Sequence, residues 1–369
     1  MKKCFVAMIV MVVVLLLGVS LNAEEKVGES LYTKIETPHP YKAKGSGEVW
    51  SHVIHQPGAS WLVVHFSKFN LADEDYVQLI DMEGNVIETI KGADVISDET
   101  SKFKIFNDGH KKVSFYGPII DGNEITVKLY SASDKNGGEG FVIDEVGIGF
   151  VPMGEDSVCG TNNLVDIICK DTATQTLGLA VGRLYYQKKK SWYLCTGSLI
   201  SSCSGHLLTN EHCISDQTVT GTLQVRFKYR YTTCGGGTVD SYSTYYGDLW
   251  IKDSVSYDYC LLTLKSNPQS TFGNLLLLNR APILNEAIYI IQHPSGVPQK
   301  HDYGTATSIT ANGGIDLAYM VDTEGGSSGS PVFADTEDKV IGLHHYGGCP
   351  NSGVMMDLIY EDIIGYICQ

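Results

Sequence analysis

Three separated stretches of the sequence hold what acyl transfer by a serine requires: a hydroxyl, a base to take its proton, and donors for the oxyanion. The hydroxyl lies in Gly325-Gly326-Ser327-Ser328-Gly329-Ser330-Pro331. Glycines on both sides let the chain turn sharply and bring backbone N–H groups close to a substrate carbonyl. A glycine-serine run alone also describes many linkers. This one passes at once into Val332-Phe333, the start of a buried strand, as linkers do not. The base lies in Leu207-Leu208-Thr209-Asn210-Glu211-His212-Cys213, where an apolar strand end gives way to a polar turn. A lone histidine is more often structural. Here Cys213 can pair with Cys195, closing a loop worth about 3 kcal/mol in the chain-entropy model and pinning the backbone of His212. The orienting carboxylate is Asp258 in Tyr257-Asp258-Tyr259-Cys260-Leu261-Leu262. An aspartate opening an apolar strand is costly to bury unless it is paired, and a histidine N–H is the partner such a set offers.

Strands must position these residues. From Cys159 onward the sequence reads as short strands with glycine-rich turns, closing on a terminal helix over 356–367 with Ile359, Ile363 and Ile367 about one turn apart. Residues 24–150 also read as strands, such as Ser60-Trp61-Leu62-Val63-Val64-His65-Phe66 and Tyr76-Val77-Gln78-Leu79-Ile80, cut by Glu83-Gly84-Asn85 and Asp121-Gly122-Asn123. That spacing predicts a small β-sandwich. Residues 151–158 read as a linker. Lys2 and Lys3, the apolar run Phe5 to Val19 and Ala23 read as an export signal over 1–23, too short for a bilayer span. Nine of the ten cysteines follow residue 158, which in an exported chain reads as disulfides.

Composition narrows the function classes. With 42 acidic against 27 basic residues, a net of −15, the chain has no basic surface for nucleic acid. Once the signal is removed, no later stretch crosses a membrane. The histidines lack the i, i+4 spacing of a metallopeptidase, so no metal or other cofactor is expected for catalysis. Acidic turns such as Asp73-Glu74-Asp75 and 134–139 leave structural calcium open, though such clusters are more often solvated loops. Tyr229, Tyr231, Tyr242, Tyr245 and Tyr246 read as strand faces covering a barrel, with a carbohydrate or peptide platform as the other reading. Lys188-Lys189-Lys190 marks a hairpin tip.

Cys195-Thr196-Gly197, Thr209-Asn210-Glu211-His212-Cys213, Asp258 and Gly326-Ser327-Ser328-Gly329-Ser330-Pro331, in the order His, Asp, Ser, resemble the chymotrypsin-like serine peptidases. The bacterial glutamyl endopeptidases and lysyl-endopeptidase-like trypsins are closest. The resemblance spans residues 159–369 and implies an all-β chymotrypsin-like double β-barrel with the active site between the barrels. It implies Ser328 as nucleophile, His212 as general base and acid, Asp258 as orienter, and the N–H groups of Gly326 and Ser328 as oxyanion donors. It also implies the disulfides Cys195–Cys213, Cys169–Cys234 and Cys159–Cys349, leaving Cys203, Cys260 and Cys368 unassigned. The leading region, 24–150, faintly resembles a CUB-type jelly roll without that family's usual cysteines.

Two positions bear on substrate choice. Asp322, six residues before Ser328 and followed by Thr323, stands where trypsin-like relatives carry the carboxylate that binds Arg or Lys. Gly342-Leu343-His344 resembles the Gly-Ile-His of glutamyl endopeptidases, where the histidine helps bind an acidic side chain. Basic side chains are favoured, with acidic ones the alternative. His345 takes the place where many relatives have a serine touching the catalytic aspartate, and a second histidine there could make activity pH-sensitive. Ser327 stands where trypsin has the aspartate that receives a new N-terminus, so activation by N-terminal insertion is not expected. The leading region is then a pro-segment or an accessory domain. These readings converge on a secreted serine endopeptidase acting on proteins or peptides. The alternative is a catalytically silent relative serving as a binding module.

Overall fold

The computed structural model describes residues 24–42, 45–95, 113–132, 138–151, 156–200 and 205–367. The expected signal, 1–23, and the cysteines Cys4, Cys203 and Cys368 lie outside the described residues.

The leading region is a two-sheet sandwich, as its alternating runs require. Its strands are β1 (Glu25–Glu36), β2 (Gly47–His55), β3 (Trp61–Asn70), β4 (Tyr76–Ile80), β5 (Val86–Lys91), β6 (Phe115–Tyr116), β7 (Ile120–Asp121), β8 (Glu124–Ser131) and β9 (Gly140–Gly149). One sheet has the order β2-β8-β4-β5; facing it are β1, β9 and β3, with β6 and β7 on the edge of β3. In β8, Ile125, Val127 and Leu129 point inward and are fully buried, while the residues between them are half-buried. Phe66, Phe69, Phe115 and Phe141 fill the space between the sheets in mutual ring contact.

Short strands β10 (Asp156–Ser157) and β11 (Val165–Asp166) lead into the barrels. The first barrel closes β12 (Val181–Lys188), β13 (Ser191–Leu199), β14 (His206–Thr209), β15 (Gln224–Phe227), β18 (Ser243–Ser254) and β19 (Tyr259–Leu264). Between β15 and β18 lies a small hairpin, β16 (Tyr231–Thr233) and β17 (Gly236–Val239). The second barrel closes β20 (Ala287–Gln292), β21 (Lys300–Ala311), β22 (Asp316–Tyr319), β24 (Pro331–Ala334), β25 (Lys339–Tyr346) and β26 (Asn351–Met355), with β23 (Thr323–Glu324) just before the turn that carries Ser328. Two closed barrels of six strands make the chymotrypsin-like double β-barrel that the motifs implied. The terminal helix covers Met356–Ile363 and buries Ile359 and Ile363. It stops before Ile367, at Gly365, where the backbone has most freedom to lose in a helix.

The three implied disulfides form: Cys159–Cys349, Cys169–Cys234 and Cys195–Cys213. Cys260 is a buried free thiol. The hairpin tip falls between Lys188 and Ser191, as its lysines suggested. Tyr245 packs on the first barrel's core, while its neighbour Tyr246, on the opposite face of β18, enters the core of the sandwich. For the calcium expectation, Asp75 accepts from the hydroxyl of Tyr41 and from the amide of Ala132, which occupies its carboxylate.

A shared sheet was not foreseen. Strand β1 pairs with β9 on one side and with β13 on the other, so the sandwich and the first barrel share one sheet of 11 strands. Side chains reinforce the join. Trp61 and Trp192 meet edge to face at 5.8 Å, and the Trp192 indole N–H donates to Ser30 Oγ at 2.9 Å. Arg226, 1% exposed, donates to both carboxylate oxygens of Asp121 and to the carbonyl of Ile119. The guanidinium is buried but the Asp121 side chain is 50% exposed, so water screens the pair and the join rests chiefly on the shared sheet and the buried indoles.

Candidate active site

The turn that presents Ser328 lies between β23 and β24 and is bolted to the first barrel. The Thr196 N–H donates to the Ser328 carbonyl at 2.8 Å, Thr196 Oγ1 donates to the Gly326 carbonyl at 2.9 Å, and Thr209 Oγ1 donates to the Thr196 carbonyl at 2.8 Å. The glycines here are steric necessities. Gly329 has φ +85°, and a Cβ on it would stand 2.1 Å from the Thr196 carbonyl oxygen. Gly326 has φ +88°. Ser327 and Gly329 bond their amides to the carbonyls of Glu324 and His344. Among the described residues, the amides of Gly326 and Ser328 have no partner, which leaves two donors for a developing oxyanion.

His212 follows the end of β14, and Asp258 the turn before β19. The structure brings them together: His212 Nδ1 lies 2.7 Å from Asp258 Oδ2, and the His212 backbone N–H donates to Asp258 Oδ1 at 3.0 Å. A proton on Nδ1 directed at the carboxylate leaves Nε2 as the acceptor. Asp258 sits at φ +40°, with its carbonyl held by the Asn210 side-chain amide at 2.8 Å. His212 Nε2 and Ser328 Oγ are both buried, and neither has a hydrogen-bond partner among the described residues.

His345 is the third group on Asp258. Its Nδ1 lies 3.2 Å from Asp258 Oδ2, and its Nε2 lies 2.9 Å from Asp316 Oδ2, which also accepts from Ser352 Oγ at 3.2 Å. Burial opposes charge on the Asp258 carboxyl, yet hydrogen bonds from His212 and His345 hold it well below the usual carboxylate range. Burial likewise opposes charge on His345, but the hydrogen bonds and charges of Asp258 and Asp316 raise its pKa.

The residues expected to bind substrate are buried. Asp322 is fully buried, and its two carboxylate oxygens accept the amides of Cys159 and Asn163, each at 2.8 Å, so it anchors the start of the barrel domain instead of facing a basic side chain. Burial and the nearby His345 and His212 push His344 down to about 3, and its Nδ1 lies 2.7 Å from the Tyr319 hydroxyl. Thr323 is 1% exposed, and its Oγ1 has no partner. The His212 ring, Cys195 Sγ and Cys213 Sγ come within 4.8 Å of one another, but both sulfurs are committed to a disulfide and supply no thiolate for a metal.

Sequence reasoning missed three features. Asp316 opens β22 as Asp258 opens β19, an aspartate before an apolar strand, and that pattern could have found it. Lys188 Nζ, from the hairpin tip, bonds the Glu24 carboxylate and the carbonyl of His212. In the sandwich, a second set lies outside both barrels: Ser114 Oγ is 2.9 Å from His65 Nε2, and His65 Nδ1 is 2.6 Å from Asp144 Oδ1.

The model of the lysyl endopeptidase C-terminal domain matches residues 157–357. The secreted RxLR effector protein 73 of Plasmopara viticola is 32% identical over 85% of this chain and 81% of its own length. The lysyl endopeptidase of Pseudomonas aeruginosa is 27% identical over 63% of this chain and 57% of its own length. A solved Glu endopeptidase in complex with MPD superposes with TM-score 0.43 at 19% identity, covering 57% of this chain and 98% of that one. On the matched residues and on the extent of these relatives, the chain belongs to the family of the lysyl endopeptidase C-terminal domain.

Proposed function

We propose that the protein is a secreted serine endopeptidase working through a Ser328–His212–Asp258 triad without a cofactor. The observation that carries this reading is His212 Nδ1 on Asp258 at 2.7 Å together with two unpartnered amides, Gly326 and Ser328, on the turn of the buried Ser328 hydroxyl. His212 Nε2 takes the proton of Ser328 as Oγ attacks the peptide carbonyl. The two amides hold the oxyanion, Asp258 keeps the imidazole in its working tautomer, and His212 then protonates the leaving amine. Water hydrolyses the acyl-enzyme by the same route. Three disulfides and relatives described as secreted support export.

With both Asp322 oxygens bonded to backbone amides, the carboxylate expected to select a basic side chain is already engaged. The carboxylate that still borders the nucleophile turn is Glu324, two residues before Gly326. Its sign favours basic over acidic substrate residues. A second reading, a silent relative acting as a binding module, is favoured by the effector relative and by the unbonded Ser328 and His212. Incubation with a diverse peptide mixture, with cuts mapped by mass spectrometry beside Ser328→Ala, separates the two. Cuts after Lys or Arg that vanish in the variant are expected; an absence of cuts from well-folded protein would leave the binding module.

A further inference from the structure

A peptide attacked at Ser328 must extend away from the reacting serine on both sides of the bond. The natural rail for one arm is the edge of β13 that leads away from Thr196, whose N–H is bonded to the Ser328 carbonyl. That edge is already taken. Strand β1 pairs on it antiparallel, with Glu25 opposite Leu194, Lys26 opposite Tyr193, Gly28 opposite Trp192 and Glu29 opposite Ser191. As residue numbers rise, β1 runs away from the nucleophile, so its first residues are the nearest to it. This is the polarity of the residues that follow a scissile bond.

Two further contacts fix the start of the strand at the site. The Glu25 side chain lies on Gly325, where a Cβ would stand 2.9 Å from Glu25 Oε2 and 3.1 Å from Glu25 Cβ. The Glu24 carboxylate and the carbonyl of His212 share Lys188 Nζ. Beyond Gly28 the strand is also held by β9, from Gly28 opposite Gly149 to Glu36 opposite Val142, and the Val27 carbonyl accepts the amide of Phe150, so Glu24 to Lys26 are the part that pairs with the barrel alone.

We propose that residues 24–26 occupy the leaving-group arm of the cleft as a built-in strand. A protein substrate then has to displace the start of β1 from β13 before it can be cut. The proposal rests on the peptidase reading of the same site and adds a self-inhibitory contact to it. If the cleft is open one-tenth of the time, apparent affinity falls about tenfold.

The test compares the chain begun at Glu24 with one begun at Val27, on a peptide substrate with several residues on each side of the cut bond. The shorter chain keeps the β9 pairing, and Glu24→Lys, which repels Lys188, is a second variant should shortening harm folding. We expect kcat/KM to rise about tenfold in the shortened chain, through KM with kcat held, and to rise less in Glu24→Lys. Equal kcat/KM in all three proteins overturns the proposal. A fluorophosphonate probe, applied first, separates the two claims: if it labels no serine, the peptidase reading fails. Strand occupancy is then read by calorimetry, as tighter binding of the uncut peptide substrate to the shortened chain than to the chain begun at Glu24, both carrying Ser328→Ala, and equal binding overturns it.

Discussion

Two serine–histidine–aspartate sets stand in this molecule. In the sandwich, Ser114, His65 and Asp144 form an unbroken chain of hydrogen bonds at 2.9 and 2.6 Å. In the barrels, His212 and Asp258 meet at 2.7 Å, while Ser328 Oγ and His212 Nε2 have no partners. By hydrogen bonding alone, the sandwich set is the more complete. What separates them is the backbone. Ser328 sits on a turn with glycines at φ +88° and +85° and two unpartnered amides, whereas Ser114 runs from Val113 straight into strand β6. The side chain of Asp144 is 36% exposed and that of Asp258 9%. Water screens the first pair, while burial concentrates the second. On the proposed reading, oxyanion donors and burial, more than the three side chains, distinguish the set that carries acyl transfer.

The largest effect that can break this comparison is loss of the nucleophile. Ser328→Ala should lower kcat by about 10⁶-fold, and Ser114→Ala should leave kcat unchanged, read on one peptide substrate. If Ser114→Ala were the damaging change, the assignment would be reversed. Next comes the carboxylate. Asp258→Asn should reduce kcat by about 10⁴-fold by favouring the wrong tautomer of His212, and Asp144→Asn should not affect it.

His345 sharpens the contrast, because the sandwich set has no counterpart to it on Asp144 in the described residues. Its raised pKa means that the imidazolium persists above the ordinary histidine value of about 6.5 and is lost as pH rises through the folded value. His345→Gln should lower kcat about tenfold, roughly one hydrogen bond to a charged group, and remove the alkaline decline linked to this proton. An unchanged pH–kcat profile would confine His345 to packing. Asp258 works at the other end of the scale. Its lowered pKa contributes stability that is present above about 3.9 and is lost as pH falls through the folded value. Asp258→Asn should flatten the acid limb of stability against pH. The smallest effect falls in the sandwich: Ser114→Ala should cost about 1 kcal/mol of stability by denaturant titration, one hydrogen bond's worth.

Legibility in the sequence followed locality. The Ser328 turn, His212 beside Cys213 and Asp258 ahead of its strand each announce themselves within about seven residues, because turn sterics and strand burial are local constraints. The barrels and the three disulfides followed from the resemblance those motifs carry. What stayed hidden depends on pairings far apart in the chain. Nothing near Glu25 says that β1 will add to β13, and nothing near Asp322 says that the amides of Cys159 and Asn163 will take its carboxylate. The set of His65, Ser114 and Asp144 is likewise assembled by register between strands, from segments whose local sequence reads as ordinary sandwich.

The most direct test of the assignment is to react the secreted protein with a fluorophosphonate probe and locate the modified residue by mass spectrometry. The geometry predicts a label on Ser328 that disappears in Asp258→Asn and persists in Asp144→Asn. A label on Ser114, or none on folded protein, would contradict it.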